Sequence, residues 1–142
     1  MSSDYPTEIE YRAAVADDVF TMSKIDILER GKSYSINFWE DNLDINHSFV
    51  AIFNKEIVGY ICSNDITIVS FDIMKEYRNQ GIGKELLSKC IQTYDFYVNL
   101  NVRISNLVAI HLYESFGFKI VGIIDDYYDP KEDAYSMELC KK

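Results

Sequence analysis

The residues best placed for chemistry form one short run, Tyr77-Arg78-Asn79-Gln80-Gly81-Ile82-Gly83-Lys84. Before it lies an apolar, β-branched stretch from Ile66 to Ile73, which reads as a strand. After it, apolar groups recur at Ile82, Leu86 and Cys90 and at Leu87, Ile91 and Tyr94, the spacing of a helix. A strand, a tight turn and a helix N-terminus in succession aim several backbone N–H groups one way, with the positive end of the helix dipole behind them. That arrangement suits a phosphate or pyrophosphate. Gly81 and Gly83 let a bulky anion approach the backbone, and Arg78 and Lys84 add positive charge. Two familiar phosphate loops are excluded. Glu85 stands where a Walker loop needs Ser or Thr, and only two glycines are present where a dinucleotide loop needs three.

The rest of the chain supplies elements to position this turn. Ile9 to Val15 reads as a strand, and Ala16-Asp17-Asp18 opens a helix that Gly31 ends. Phe20, Ile27 and Leu28, with Ile25 nearby, are its expected apolar stripe. Ser35 caps a second helix carrying Phe38, Trp39 and Leu43. Phe49–Phe53, Ile57–Cys62 and Ile66–Ile73 form a three-stranded antiparallel meander, with turns at Asn54-Lys55-Glu56 and Ser63-Asn64-Asp65. Past the phosphate turn and its helix, Phe96–Arg103 alternates: Val98, Leu100 and Val102 on one face, Asn99, Asn101 and Arg103 on the other. Following a helix, this strand is expected parallel to Ile66–Ile73. Its polar row calls for a cleft or a solvated face. Ser105-Asn106 opens a last helix, with Ala109, Leu112, Tyr113 and Phe116 as its inner stripe, closed at Gly117. Phe118–Ile124 and Ala134–Leu139 are the final strands, joined by a loop, Asp125–Asp133, that holds Tyr127 and Tyr128.

At 142 residues, the chain is read as a single domain over 1–142 with one core. No run is long and apolar enough to cross a membrane, and Met1–Thr7 is polar, lacks a signal-peptide core and is expected to be flexible. Cys62, Cys90 and Cys140 have neither metal spacing nor a disulfide pattern, so no metal is expected and a reducing cytoplasm is the default. A net charge of −9 argues against nucleic acid and favours cationic acceptors such as amines. It also requires anionic ligands to be held by local amides and basic side chains.

The element order β-αα-βββ-α-β-α-ββ, with Arg-x-x-Gly-x-Gly between its fourth strand and third helix, resembles the GNAT acyltransferase superfamily. The C-terminal third narrows the resemblance. Leu100-Asn101-Val102-Arg103-Ile104-Ser105-Asn106, Leu112-Tyr113-Glu114, Gly117-Phe118, Tyr127-Tyr128 and Glu132-Asp133-Ala134 are similar to the RimI-type branch. That branch includes ribosomal-protein alanine acetyltransferases and the catalytic subunits of protein N-terminal acetyltransferases. The resemblance implies an α/β (α+β) fold, a mixed, mostly antiparallel sheet of about seven strands with about four helices. It implies acetyl transfer from acetyl-coenzyme A to the α-amine of a peptide or protein N-terminus, on a ribosomal protein or nascent chain, with an auxiliary subunit or homodimer as a further partner. Residue by residue, it implies that Arg78, Asn79, Gln80, Gly81, Ile82, Gly83 and Lys84 hold the pyrophosphate. Phe71, Asp72 and Ile73 would line the thioester and pantetheine, Asn106 would bond the pantetheine arm, and Tyr113 would protonate the leaving thiolate. Tyr127 and Tyr128 would line the peptide entrance.

The general base is left open. Asn101 stands where bacterial RimI enzymes carry glutamate, and Thr67 stands where another branch does; neither is a base. Asn101 can orient a relay water, Glu29 or Asp72 can supply a carboxylate, or an α-amine with a pKa near 8 can need no strong base. His111 is read as a surface residue, and Cys62 and Cys140 as structural. Two alternatives stand beside the α-amine reading. One is an acetyltransferase for a small amine, polyamine or lysine, suggested by the acidic Asp125–Asp133 loop. The other is an acyl-coenzyme A binding module or partner-dependent subunit, suggested by Asn101.

Overall fold

A computed structural model describes residues 8–128 and 132–141. The elements are β1 (Glu10–Ala13), α1 (Val19–Arg30), α2 (Ile36–Asn42), β2 (Phe49–Phe53), β3 (Glu56–Ser63), β4 (Ile68–Ile73), α3 (Ile82–Gln92), β5 (Tyr97–Arg103), α4 (Leu107–Ser115), β6 (Lys119–Tyr128) and β7 (Glu132–Cys140). This is the expected order. The strands, however, fall into two sheets, β1-β2-β3-β4 and β5-β7-β6, rather than one. The chain packs as two compact units, one running to Asp65 and resuming over Val69–Thr93, the other made of Ile66–Ile68 and the chain from Tyr94 onward. The expected flexible start, Met1–Thr7, and part of the expected Asp125–Asp133 loop lie outside the described residues.

In the first unit, β1 pairs antiparallel with β2, and β2 with β3. The β2–β3 turn places Asn54 and Lys55 at φ 51° and 69°, the left-handed pair that a two-residue hairpin turn needs. Ala14, Val19, Met22, Ile25, Trp39, Val50, Tyr60 and Cys62 form the core. Of the α1 stripe read from sequence, only Ile25 faces inward. Phe20, Ile27 and Leu28 are exposed, while Val19, Met22, Ser23, Ile25 and Asp26 are buried. Two polar residues hide the inward face from a hydrophobic pattern. Asp26 is tolerated there because Arg30, one turn on, lies 3.1 Å from its carboxylate. Gly31 ends α1 at φ 86°, and the Ser35 hydroxyl accepts the Phe38 N–H to cap α2. In α3 the expected stripe is the buried one: Ile82, Leu86, Leu87, Cys90 and Ile91.

In the second unit, β7 is the middle strand, antiparallel to both β5 and β6. Strand β5 alternates as its sequence implies, with Val98, Leu100 and Val102 buried. Among the described residues, the expected parallel pairing of β5 with the Ile66–Ile73 stretch is seen at an isolated bridge, Thr67 to Asn99, with the Asn99 N–H donating to the Ile66 carbonyl. The polar row of β5 is internally satisfied in part. The Thr67 hydroxyl donates to Asn99 Oδ1 at 2.7 Å, Asn99 Nδ2 to the Tyr97 oxygen at 3.1 Å, and the Tyr97 hydroxyl to Glu138 at 2.8 Å. The last two strands outrun their expected ends. Strand β6 continues to Tyr128 and β7 starts at Glu132, so Tyr127 and Tyr128 stand at a strand end rather than within a long loop. Strand pairing overrides the turn-like composition of Asp125-Asp126, and a register irregularity between Ile124 and Tyr128, with Asp126 at φ 52°, absorbs it.

Candidate functional site

The first unit carries the phosphate turn. A single 3-10 turn, Lys75–Tyr77, leads from β4 to Arg78; Asn79 and Gly81 then adopt φ 64° and 85°, reversing the chain into α3. Gly81 caps α3 without a side-chain bond, so the first N–H groups of the helix have no capping side chain. A Cβ on Gly83 would lie 3.6 Å from the Phe71 ring and 3.9 Å from Ile73, so these three residues line one side of the turn. Free helix-terminal amides beside two glycines fit a pyrophosphate by chemistry as well as by motif. Strand β4 is the outer strand of its sheet, with Phe71–Ile73 at its C-terminal end.

Asp72 points to the other face of β4, as strand alternation requires. There it meets Arg30, whose Nε donates to its carboxylate at 3.2 Å while Nη2 donates to the Phe71 carbonyl at 3.3 Å. Burial raises the Asp72 carboxyl pKa above its ordinary value, partly offset by Arg30 and Arg78. Burial works against the charge on Arg30, yet the Tyr60 oxygen and the carboxylates of Asp72 and Asp26 outweigh it and hold that guanidinium above its ordinary range. Tyr60 is fully buried and shares a hydrogen bond of 2.7 Å with Ser70; burial raises its phenol.

Arg78, read as a phosphate ligand, is exposed and pairs within the chain. Its Nη2 donates to Glu29 at 2.6 Å and its Nε to the Ile73 carbonyl at 3.0 Å. Glu29, read as a candidate base, thus uses one carboxylate oxygen on Arg78 and accepts the Lys75 N–H with the other at 3.4 Å.

The second unit carries the remaining residues. Asn106 caps α4, its side-chain oxygen accepting the Ala109 N–H at 3.2 Å. Tyr113 is buried on the inner face of α4, against Phe118 with ring centres 5.7 Å apart; His111 is exposed. Asn101 is half-buried opposite Ser136 on β7. Tyr127 and Tyr128 meet edge to face at 4.9 Å, and the Arg103 guanidinium lies 4.3 Å over the Tyr128 ring. Glu132 joins this group, accepting from Arg103 at 3.1 Å and from the Ser105 N–H at 3.0 Å.

Sequence reasoning gave no role to Arg30, Arg103 or Glu132. The i,i+4 spacing of Asp26 and Arg30 was the one readable sign; the Arg103–Glu132 pairing spans 29 residues and has no local signature. Cys62 and Cys90 are buried thiols, each pushed up to about 12 by burial, in keeping with structural roles. Among the described residues no helix is long and apolar enough to cross a membrane.

Comparison with known proteins bears directly on this site. Residues 16–118 match the model of the Acetyltransferase (GNAT) family. The N-alpha-acetyltransferase of Sulfurisphaera tokodaii is 33% identical over 92% of each chain. The ribosomal-protein alanine N-acetyltransferase of Escherichia coli superposes with a TM-score of 0.82 at 25% identity, covering 94% of each chain. Arabidopsis thaliana Naa50, solved in complex with the bisubstrate analogue CoA-Ac-MVNAL, superposes with a TM-score of 0.79 at 20% identity over 92% of this chain and 97% of its own. The uncapped glycine turn, the strand edge before it and the matched family model lead to one conclusion: the chain belongs to the GNAT acetyltransferase family and is an acetyl-coenzyme A-dependent acyltransferase.

Proposed function

We propose that this enzyme acetylates the α-amino group of a protein or peptide N-terminus, on a ribosomal protein or nascent chain in the cytoplasm. The observation that carries the reading is the pairing of an uncapped α3 N-terminus at Gly81 with the Tyr113 and Tyr127-Tyr128 pattern of the RimI-type branch. The name of the 33%-identical N-alpha-acetyltransferase supports it. Acetyl-coenzyme A brings the activated acyl group. The amides and basic charge of Asn79–Lys84 hold its pyrophosphate, and the β4 backbone at Phe71–Ile73 takes its pantetheine and thioester. Asn106 bonds the pantetheine arm while still capping α4, and Tyr113 gives a proton to the departing sulfur. Tyr127 and Tyr128, steadied by Arg103, receive the acceptor peptide. An α-amine is already partly neutral near pH 7, so orientation supplies much of the rate and Asn101 serves by placing a water rather than as a base.

The test is thiol release from acetyl-coenzyme A with peptides beginning in serine, alanine, methionine and glutamate, each with a free and a blocked N-terminus. Turnover confined to free N-termini supports the reading. Turnover of small amines alone transfers the acceptor to that class, and cofactor binding without transfer to any amine indicates a missing auxiliary subunit.

A further inference from the structure

Three interactions within the chain engage the arginine of the phosphate turn. Nε donates to the Ile73 carbonyl at 3.0 Å, and Nη2 donates to Glu29 at 2.6 Å and stands 3.5 Å from Asp72. Glu29 and Asp72 are well shielded, with 13% and 12% of their side-chain surface accessible. Glu29 also accepts the Lys75 N–H at the start of the 3-10 turn. It is the penultimate residue of α1, so one carboxylate ties Lys75 and Arg78, which bracket the 3-10 turn after β4, to the end of that helix. Two residues beyond it, Gly31 begins the connection to α2.

We infer that Arg78 is a strut and not a phosphate ligand, and that Glu29 is a positioning residue for the coenzyme A turn. The pair fixes Lys75–Arg78 against the end of α1. Asn79 and Gly81 then hold their left-handed conformations in the one arrangement that presents the N–H groups of Ile82, Gly83 and Lys84. A planar guanidinium suits the task because its fork reaches a carboxylate and a carbonyl at once; an ammonium reaches one. The inference rests on the reading that this turn holds the pyrophosphate of coenzyme A.

The strut and ligand roles predict opposite signs for Glu29→Ala. If Arg78 bound phosphate, removing Glu29 would release the guanidinium and remove a nearby negative charge, so coenzyme A would bind as well or better. As a strut, Glu29→Ala weakens coenzyme A binding about tenfold, comparably to Arg78→Ala. The double variant is then no weaker than the worse single one, because both remove the same interaction. Glu29→Gln, which still accepts a hydrogen bond, recovers part of the loss and replaces Glu29→Ala should that variant fold poorly. Arg78→Lys keeps the charge but loses the fork, so it stays weakened.

Calorimetric titration of the full chain with coenzyme A, and separately kcat/KM with acetyl-coenzyme A and with S-acetylpantetheine, reads these outcomes. The strut predicts losses with coenzyme A and none with the phosphate-free analogue; a general folding defect lowers both. Unchanged or tighter binding in Glu29→Ala, additive losses in the double variant, or equal losses with the analogue would overturn the inference. The titration needs no acceptor. Wild-type chain that binds coenzyme A but acetylates small amines and no peptide therefore contradicts the α-amine reading and leaves the strut standing.

Discussion

At the scale of single residues, Tyr113 carries the sharpest chemical expectation. Its hydroxyl is proposed as the proton source for the leaving sulfur, while its ring belongs to the core beside Phe118. Tyr113→Phe keeps the ring, so thermal unfolding should move little while kcat falls about 10²-fold. A fall in stability matching the fall in rate would reduce Tyr113 to packing. The thiols give a second residue-scale test. Cys62 and Cys90 are buried and pushed up to about 12, so an aromatic disulfide reagent should react with Cys140 alone until the chain is unfolded, and then with all three. Fast reaction of more than one thiol in the native state would contradict this packing. At this scale the sequence was legible where identity alone decides chemistry, as with glycine, asparagine at a cap, and tyrosine. It was not legible where a role depends on a distant partner. Nothing local to Glu29 announces that its carboxylate meets a residue 49 positions on.

At the scale of elements, periodicity decided what could be read. Helix α3 was readable because each of its inward positions is apolar. The inward face of α1 was not, because Ser23 and Asp26 occupy it and leave Phe20 and Leu28 outside. A buried carboxylate neutralised by a later arginine is invisible to a hydrophobic pattern. Strand ends were misplaced for a similar reason: backbone pairing carried β6 through two aspartates that composition assigns to a turn.

Two predictions belong to this scale. The strand β3 glycine, Gly59, lies against β4, where an added Cβ would stand 2.7 Å from Ile73 Cδ1 and 3.2 Å from the Asp72 carbonyl. Gly59→Ala must push aside the end of the Ile73 side chain and crowds the Asp72 carbonyl, part of the backbone proposed to meet the thioester. It should raise KM for acetyl-coenzyme A severalfold and destabilise the fold by about 1–2 kcal/mol; wild-type kinetics would show that β4 adjusts freely.

The second concerns the entry to α1. Asp18 accepts two hydrogen bonds from Arg12 on β1, at 2.7 and 2.9 Å, and the Val15 N–H at 2.8 Å. The Arg12 hydrogen bonds, with help from Val15 and against burial, hold its carboxyl below the usual range. A depressed folded pKa means stability present above the unfolded value and lost as pH falls through the folded one. Asp18→Asn should therefore cost about 1–2 kcal/mol near neutrality. The difference from wild type should vanish once the medium is well below about pH 4. Denaturant unfolding at both ends of that range checks it, and a constant difference would contradict the linkage.

At the scale of the whole molecule, charge sets the terms. With a net charge of −9, the chain repels a polyanionic co-substrate at long range and attracts a cationic acceptor. Salt screens both effects over about 8–10 Å at moderate ionic strength. Raising salt from low to physiological levels should lower KM for acetyl-coenzyme A and raise it for a lysine-containing peptide. Parallel rises for both would mean that local ion pairs, not the overall field, govern capture. The fold class and the family were legible at this scale because several elements and motifs occur in one order. The division of seven strands into two sheets was not, since single-strand patterns do not say where pairing stops.

The proposed reaction delivers the acetyl group to an α-amine. The most direct measurement is to incubate the chain with acetyl-coenzyme A and one peptide carrying both a free N-terminus and an internal lysine, then locate the acetyl group by fragmentation mass spectrometry. Acetyl is expected on the N-terminal nitrogen alone, and none on the same peptide with its N-terminus blocked. Acetyl on the lysine, at a rate unaffected by the block, would contradict it.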